Sequence, residues 1–213
     1  TARQPKPSAQ AKRSGRVGRH HGGMTDHDMP PRLDADEMLD IVDENDQVVG
    51  QAPRGEAYAR RMRHRCTFIL VRDAEDRIFV HRRTAQKLVF PAHYDMFVGG
   101  VVGAGESYDR AALREAEEEL GVRGLPQPEP LLKFLYETGE HTWWSAVYQV
   151  RWTGPVDPQA AEIDWYAFMA EEELARRLAQ WPWTPDGLAA YRELLERREF
   201  PEGSPEDPRA AGR

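Results

Sequence analysis

The stretch from Gly99 to Val122, GGVVGAGESYDRAALREAEEELGV, constrains this chain more than any other. Its glycines open a loop, and the loop delivers the chain into a short helix. Ser107 is the predicted N-cap, because a serine hydroxyl can accept from an orphan amide of the first turn. Gly121 is the predicted closing residue, because glycine takes the left-handed conformation that ends a helix. Leu113, Ala116 and Leu120 recur at helical spacing and offer an apolar stripe to a sheet. The opposite face carries Glu115, Glu118 and Glu119 at i, i+3 and i+4, so three carboxylates project to one side. Like charges at that spacing cost roughly 0.2–0.5 kcal/mol per pair, and Arg110 and Arg114 offset only part of this. Two readings follow. One is a solvated acidic face; the other is a face that holds a hard divalent cation together with phosphates and waters.

The whole pattern separates them. Gly100, Glu106 and the run from Arg114 to Val122 satisfy G-x5-E-x7-R-E-U-x-E-E-x-G-U, where U is apolar, with Ala116 and Val122 in the apolar positions. In this the chain resembles the Nudix hydrolases. The resemblance implies an α+β fold, a mixed β-sheet sandwiched between α-helices. It also implies that Glu115, Glu118 and Glu119 bind metal with the Gly100 carbonyl, and that Arg114, helped by Glu106, orients the glutamates. The catalytic base is then Glu118 or Glu119, or a carboxylate on a loop outside the box, for which Glu162 is the candidate. Mg²⁺ is the implied cofactor, with Mn²⁺ as a substitute.

Outside the box, the stretches DIVDENDQVVGQAPR, MRHRCTFILV and HRRTAQKLVFPAHYDMFVGGVV resemble the branch that contains isopentenyl-diphosphate isomerase. That isomerase places a cysteine and a histidine where this chain has Gly99 and Val101. His64 matches one upstream histidine of its metal site, but the other falls on Ala57. His64 is therefore expected to be structural or to contact substrate.

The remaining chain supplies a domain around this box. MLDIVDENDQVVGQ predicts a hairpin turning at Glu44-Asn45-Asp46, and GEAYARRMRH a short helix. RCTFILVRD and RIFVHRR predict a second hairpin, followed by a loop into a short strand ending at Gly99. LLKFLYET, TWWSAVYQVRW and EIDWYAFMA predict further strands, and MAEEELARRLAQ a helix. A last helix runs to about Glu199, with Thr184 as N-cap and Pro185 at its first position. Residues 1–35 are read as a disordered basic extension, since Arg3, Lys6, Lys12, Arg13, Arg16 and Arg19 come with almost no large apolar side chains. Residues 36–200 form the domain, and 201–213 a frayed tail rich in Pro, Gly and charge.

Charge and composition bound the partners. A net charge of −7 argues against a general grip on nucleic acid. No apolar run approaches the length of a membrane span. The lone Cys66 excludes an internal disulfide and fits a reducing, cytoplasmic compartment. The expected partner is a small-molecule diphosphate, and a homodimer is compatible with this reading. Arg82, Arg83 and Lys87 precede the box and are candidates for binding substrate phosphates, or else they solvate a strand end. Trp143, Trp144, Tyr94 and Phe97 are candidates for stacking on a base, or else they pack in the core. The leading function is a metal-dependent hydrolase cleaving a diphosphate linkage in a nucleoside-diphosphate-type substrate. The alternatives are an idle nucleotide-binding module with the same fold and, less favoured, the isomerase.

Overall fold

Strand β3 (His64–Arg72) is the axis of the molecule, which is described by a computed structural model over residues 34–199. The expected basic extension and C-terminal tail lie outside the described residues, apart from a 3₁₀ turn at Asp34–Asp36 that leads into the domain. In chain order the described elements are β1 (Met38–Val42), β2 (Val48–Pro53), α1 (Arg54–Ala59), β3, β4 (Ile78–Arg83), β5 (Tyr94–Asp95) and α2 (Tyr108–Leu120). Then come β6 (Glu129–Glu137), β7 (Thr142–Arg151), β8 (Ile163–Met169), α3 (Glu171–Arg177) and α4 (Pro185–Glu199).

β3 runs parallel to β7 along its full length, from His64 opposite Trp143 to Arg72 opposite Arg151. β6 adds antiparallel to β7. β4 meets β3 only at the hairpin end, Arg72 opposite Ile78, and then diverges to pair with β8 and β5. Residues 98–101 enter the gap this leaves, with Val98 bridged to Ile69 and Val101 to Cys66. The strand expected to end at Gly99 is thus a two-residue ladder followed by isolated bridges. Gly99 has φ 146 and lies against the Thr67 carbonyl, where a side chain would overlap, so regular pairing breaks there.

Both faces of the sheet are covered, which is why β3 reads as a near-continuous apolar run. Cys66, Phe68, Leu70, Trp143 and Val147 pack on the side of α1 and α4, with Ala57, Tyr191 and Leu194. Ile69, Val71, Phe79, Ala146 and Tyr148 pack on the other side against Ala112, Ala116 and Leu120 of α2. The result is the expected α+β sandwich with a mixed sheet.

The β1–β2 hairpin forms around Asp46, which has φ 60. The Asp46 carboxylate accepts from Arg65 Nε at 2.6 Å, Lys133 Nζ at 2.6 Å and the Tyr108 hydroxyl at 3.0 Å, so the hairpin is pinned between sheet and α2. β1 in turn holds the box loop, since Ala104 N–H donates to the Met38 carbonyl at 2.8 Å and Gly105 N–H to Asp40 at 2.9 Å. Two helices end earlier than expected, α1 at Ala59 and α3 at Arg177. The Arg177 carbonyl turns to accept from Gln180 N–H at 2.9 Å and the Trp183 indole at 3.0 Å. Thr184 stands before α4 as expected, and its hydroxyl donates to Asp95 at 2.9 Å.

Candidate active site

Helix α2 carries the glutamate face, and its ends are those expected. Ser107 Oγ accepts from Arg110 N–H at 3.3 Å, and Gly121 closes the helix at φ 65. Ala112, Ala116 and Leu120 are buried, while Leu113 is only half-buried at the edge of the stripe. Docking by alanines brings the helix axis close to β3 and sets the acids at the rim of the sheet.

The three glutamates meet different surroundings. Their side chains are 14% exposed for Glu115, 52% for Glu118 and 7% for Glu119. Arg114 forks onto Glu106 through Nε at 3.0 Å and Nη2 at 2.8 Å, and its Nη1 donates to Glu115 at 2.7 Å and Glu118 at 3.3 Å. Burial works against ionisation of Glu106, but Arg114 outweighs it and holds that carboxyl below its ordinary value. Glu106 also accepts from Gly103 N–H at 3.2 Å, so the same carboxylate closes the loop. Burial, added to by the charges of Glu119 and Glu118 and opposed by Arg114, pushes the Glu115 carboxyl up to about 7. One arginine does not satisfy this face.

The residues fit a divalent cation. A Cβ on Gly100 would stand 2.7 Å from Glu115 Oε2, so glycine alone lets the box backbone come so near the helix acids. The Gly100 carbonyl accepts from Thr67 N–H at 2.8 Å and, at the longer distance of 3.4 Å, from the Thr67 hydroxyl. Among the described residues no three His, Cys, Asp or Glu side chains close into a cage. The arrangement is an open face, as suits a metal that takes substrate phosphates and waters as further ligands.

A cleft of about 930 Å³ opens beside this face, reached by Gly100, Glu115, Glu118 and Glu119 from the box. Lys87 and Glu162 line it as an ion pair, and Lys87 Nζ lies 3.8 Å from Glu119. Arg83 also lines it and donates to the Val89 carbonyl at 3.2 Å. Arg82 does not reach the cleft. Successive strand side chains point to opposite faces, and Arg82 instead binds Asp164 through Nε at 2.7 Å. The structure therefore brings Gly100, Arg114, Glu115, Glu118, Glu119, Arg83, Lys87 and Glu162 together, and leaves Arg82 outside.

Of the aromatic candidates, Trp143 and Phe97 line the cleft. Tyr94 stacks on Trp181 at 4.2 Å, and Trp144 lies under Lys133 with its indole bonded to the Asp43 carbonyl at 3.3 Å. His64 is buried, its Nδ1 is 2.9 Å from the Met62 carbonyl, and burial lowers its pKa to about 4. Sequence reasoning missed Asp95, Thr184 and Asp186, which also line the cleft. Only the acidic side chain at the second position of a helix signalled Asp186, and that signal is common.

The sequence profile of the NUDIX domain matches residues 62–191. A Streptomyces coelicolor protein named as an uncharacterized Nudix hydrolase is 69% identical over 161 residues, covering 75% of this chain and 89% of that protein. A Yersinia pestis protein with the same family designation is 41% identical, covering 76% and 87%. The crystal structure of DR0079 from Deinococcus radiodurans superposes with a TM-score of 0.63 at 31% identity, covering 74% of this chain and 98% of that one.

Proposed function

The chain belongs to the Nudix family, and from that premise we propose that it is a metal-dependent hydrolase of the diphosphate linkage in a nucleoside-diphosphate-type substrate. One observation carries the reading: Glu115, Glu118 and Glu119 share a face with the Gly100 backbone at the mouth of a cleft large enough for such a substrate. A bound Mg²⁺ or Mn²⁺ there supplies charge neutralisation on the diphosphate oxygens and activation of water. The chain's own residues do the rest. Arg114 holds Glu115 and Glu118 in register with the loop through Glu106. Lys87 and Arg83, which line the same cleft, offer positive charge to the phosphates. Glu118, the most exposed of the three acids, or Glu119 beside it accepts the water proton, and Glu162 is the alternative base, held against Lys87.

The likeness to the isomerase branch stays within this reading as one of scaffold. Gly99 and Val101 put no acid–base side chain where the isomerase has two, so hydrolysis and not isomerisation is the proposed chemistry. Among the described residues no helix is long and apolar enough to cross a membrane. We place the enzyme in a reducing, cytoplasmic setting, which the lone buried Cys66 supports. We also include a homodimer, supported by Val48 and Val49 exposed on β2. The test is turnover of a panel of nucleoside diphosphate-linked compounds with Mg²⁺ or Mn²⁺, with isopentenyl diphosphate alongside. Release of phosphorylated products from at least one nucleotide, and no dimethylallyl diphosphate, is expected. Tight metal-dependent nucleotide binding without any product would favour the idle module.

A further inference from the structure

The turn that carries Glu106 is gripped from outside the box. Residues 103–106 turn tightly, closed by Glu106 N–H donating to the Gly103 carbonyl at 3.0 Å, with Gly105 in the left-handed region at φ 73. That closing bond uses neither of the two central amides, and β1 takes both. Ala104 N–H donates to the Met38 carbonyl at 2.8 Å, and Gly105 N–H to Asp40 Oδ2 at 2.9 Å. All four residues of the turn line the cleft.

Asp40 is itself held in place. It is buried, its Oδ1 accepts from Gln51 Nε2 at 2.9 Å, and Arg65 Nη1 stands 4.0 Å from its Oδ2. The same Arg65 donates through Nε to Asp46 at 2.6 Å, and Asp46 accepts at 3.0 Å from the hydroxyl of Tyr108, the first residue of α2. The β1–β2 hairpin thus grips the chain on both sides of Glu106. Asp46 does so at the tip of a long side chain, whereas Asp40 holds the main chain one residue from Glu106. From there the line continues inward. Glu106 takes both arms of the Arg114 fork, and Arg114 reaches Glu115 and Glu118. A shift of the turn moves the anchor of that fork.

We propose that Asp40 is a positioning residue for the reaction. Through the Gly105 N–H it fixes the turn that sets Glu106, and through Glu106 and Arg114 it holds the glutamate face in the arrangement that binds metal and turns over substrate. This rests on the hydrolase reading above, which places the metal at that face. A buried carboxylate kept for stability alone needs partners, and Gln51 and Arg65 already supply them; the bond to Gly105 is the one that leads to the site. Groups one step behind a metal ligand commonly change affinity or activity by about 10–100-fold when removed. A displacement of about 1 Å at a site costs turnover on the same scale.

The experiment measures Mn²⁺ affinity by electron paramagnetic resonance, and kcat and KM at saturating Mg²⁺ on the diphosphate panel above. It uses the full chain as wild type, Asp40→Ala and Asp40→Asn, each checked for folding by its thermal melt. Asp40→Ala should weaken Mn²⁺ binding and lower kcat by about tenfold or more each, with KM changed less than about threefold. Asp40→Asn keeps an oxygen that can accept from Gly105, and the exposed Gln51 amide can turn to meet the new NH₂ group. It should return both values to within about threefold of wild type. A role in stability alone would lower the melting temperature and leave Mn²⁺ affinity and kcat of the folded protein unaltered. A folded Asp40→Ala protein of that kind overturns the proposal, and so does a loss that asparagine does not repair. If wild type hydrolyses none of the panel, the hydrolase reading loses support and Mn²⁺ affinity decides separately. Weaker binding by Asp40→Ala then supports the proposal; equal binding, or none by wild type, overturns it. If Asp40→Ala does not fold, wild type alone decides, because coupling between two sites is reciprocal. Mg²⁺ should slow amide hydrogen exchange at Gly105, read by NMR, by about tenfold, and unaltered exchange overturns the proposal.

Discussion

Arg114 shows how much one side chain carries. Its planar fork reaches both oxygens of Glu106 and still donates to Glu115 and Glu118, which no single ammonium can copy. Mutual attraction with Glu106 and Glu115 holds its own pKa above the ordinary arginine value. Arg114→Lys should therefore cost roughly 1–3 kcal/mol of stability through lost charge-assisted hydrogen bonds. It should also lower kcat by more than KM changes, because the glutamates lose their register; thermal melts and steady-state kinetics read the two effects. An unaltered kcat would show that the fork is structural only. Which acids of the box share a face was legible from spacing, since a helix period fixes it. The split between Arg82 and Arg83 was not, because adjacent positions cannot be assigned to faces until the strand's partners are known.

At the scale of the element, α2 works because its two ends are fixed. Gly121 has φ 65, and a Cβ there would collide with the Asp157 carbonyl, itself tied down by Asp157 N–H donating to Leu120 at 2.9 Å. Gly121→Ala should destabilise the protein by more than the ~1 kcal/mol of an ordinary left-handed cap, because strain and collision add. A denaturant midpoint equal to wild type would contradict this. Cap residues and helix length were readable because caps are local chemistry. That Asp95 and Asp186 line the cleft was not, because they come from β5 and α4 and reach it only through tertiary packing. Thr184 illustrates the same limit: its place before α4 was readable, and the bond its hydroxyl donates to Asp95, 89 positions away, was not.

Across the whole molecule, burial of titratable groups sets the pH range of stability. Burial lowers His64 to about 4 and His81 to about 3, with Arg54 and Arg83 respectively adding to it, so both are neutral in the fold and become charged in the unfolded chain below about 6.5. Their contribution is complete above that value and is lost as pH falls towards 3–4, by up to about 1.4 kcal/mol per pH unit for each. Asp95 runs the other way. Burial and then Asp186 raise it to about 7, so its contribution is present below the unfolded value of 3.8 and is lost as pH rises to about 7. Over pH 4 to 8 the histidines are opposed by Asp95 and by Glu115, which burial also raises to about 7, so the difference between variants is what reads the assignment. In chemical denaturation, Asp95→Asn should gain on wild type as pH rises from 4 to 7. A pH-independent difference would contradict that assignment. The overall architecture followed from the β3 and box patterns, whereas the gap between β3 and β4 that admits residues 98–101 has no local signature. The most direct measurement of the central claim is turnover by Glu118→Gln and Glu119→Gln, on a diphosphate the parent cleaves, against Glu117→Gln. Glu117 points away from the cleft and one of its oxygens accepts from Gly124 and Leu125 N–H at 2.6 and 3.0 Å, a role the amide oxygen of glutamine keeps. Folded Glu118→Gln and Glu119→Gln proteins should each lose at least ~10²-fold in kcat, about 2.7 kcal/mol of barrier, with Glu117→Gln near wild type; comparable turnover in all three would remove the glutamate face from the mechanism.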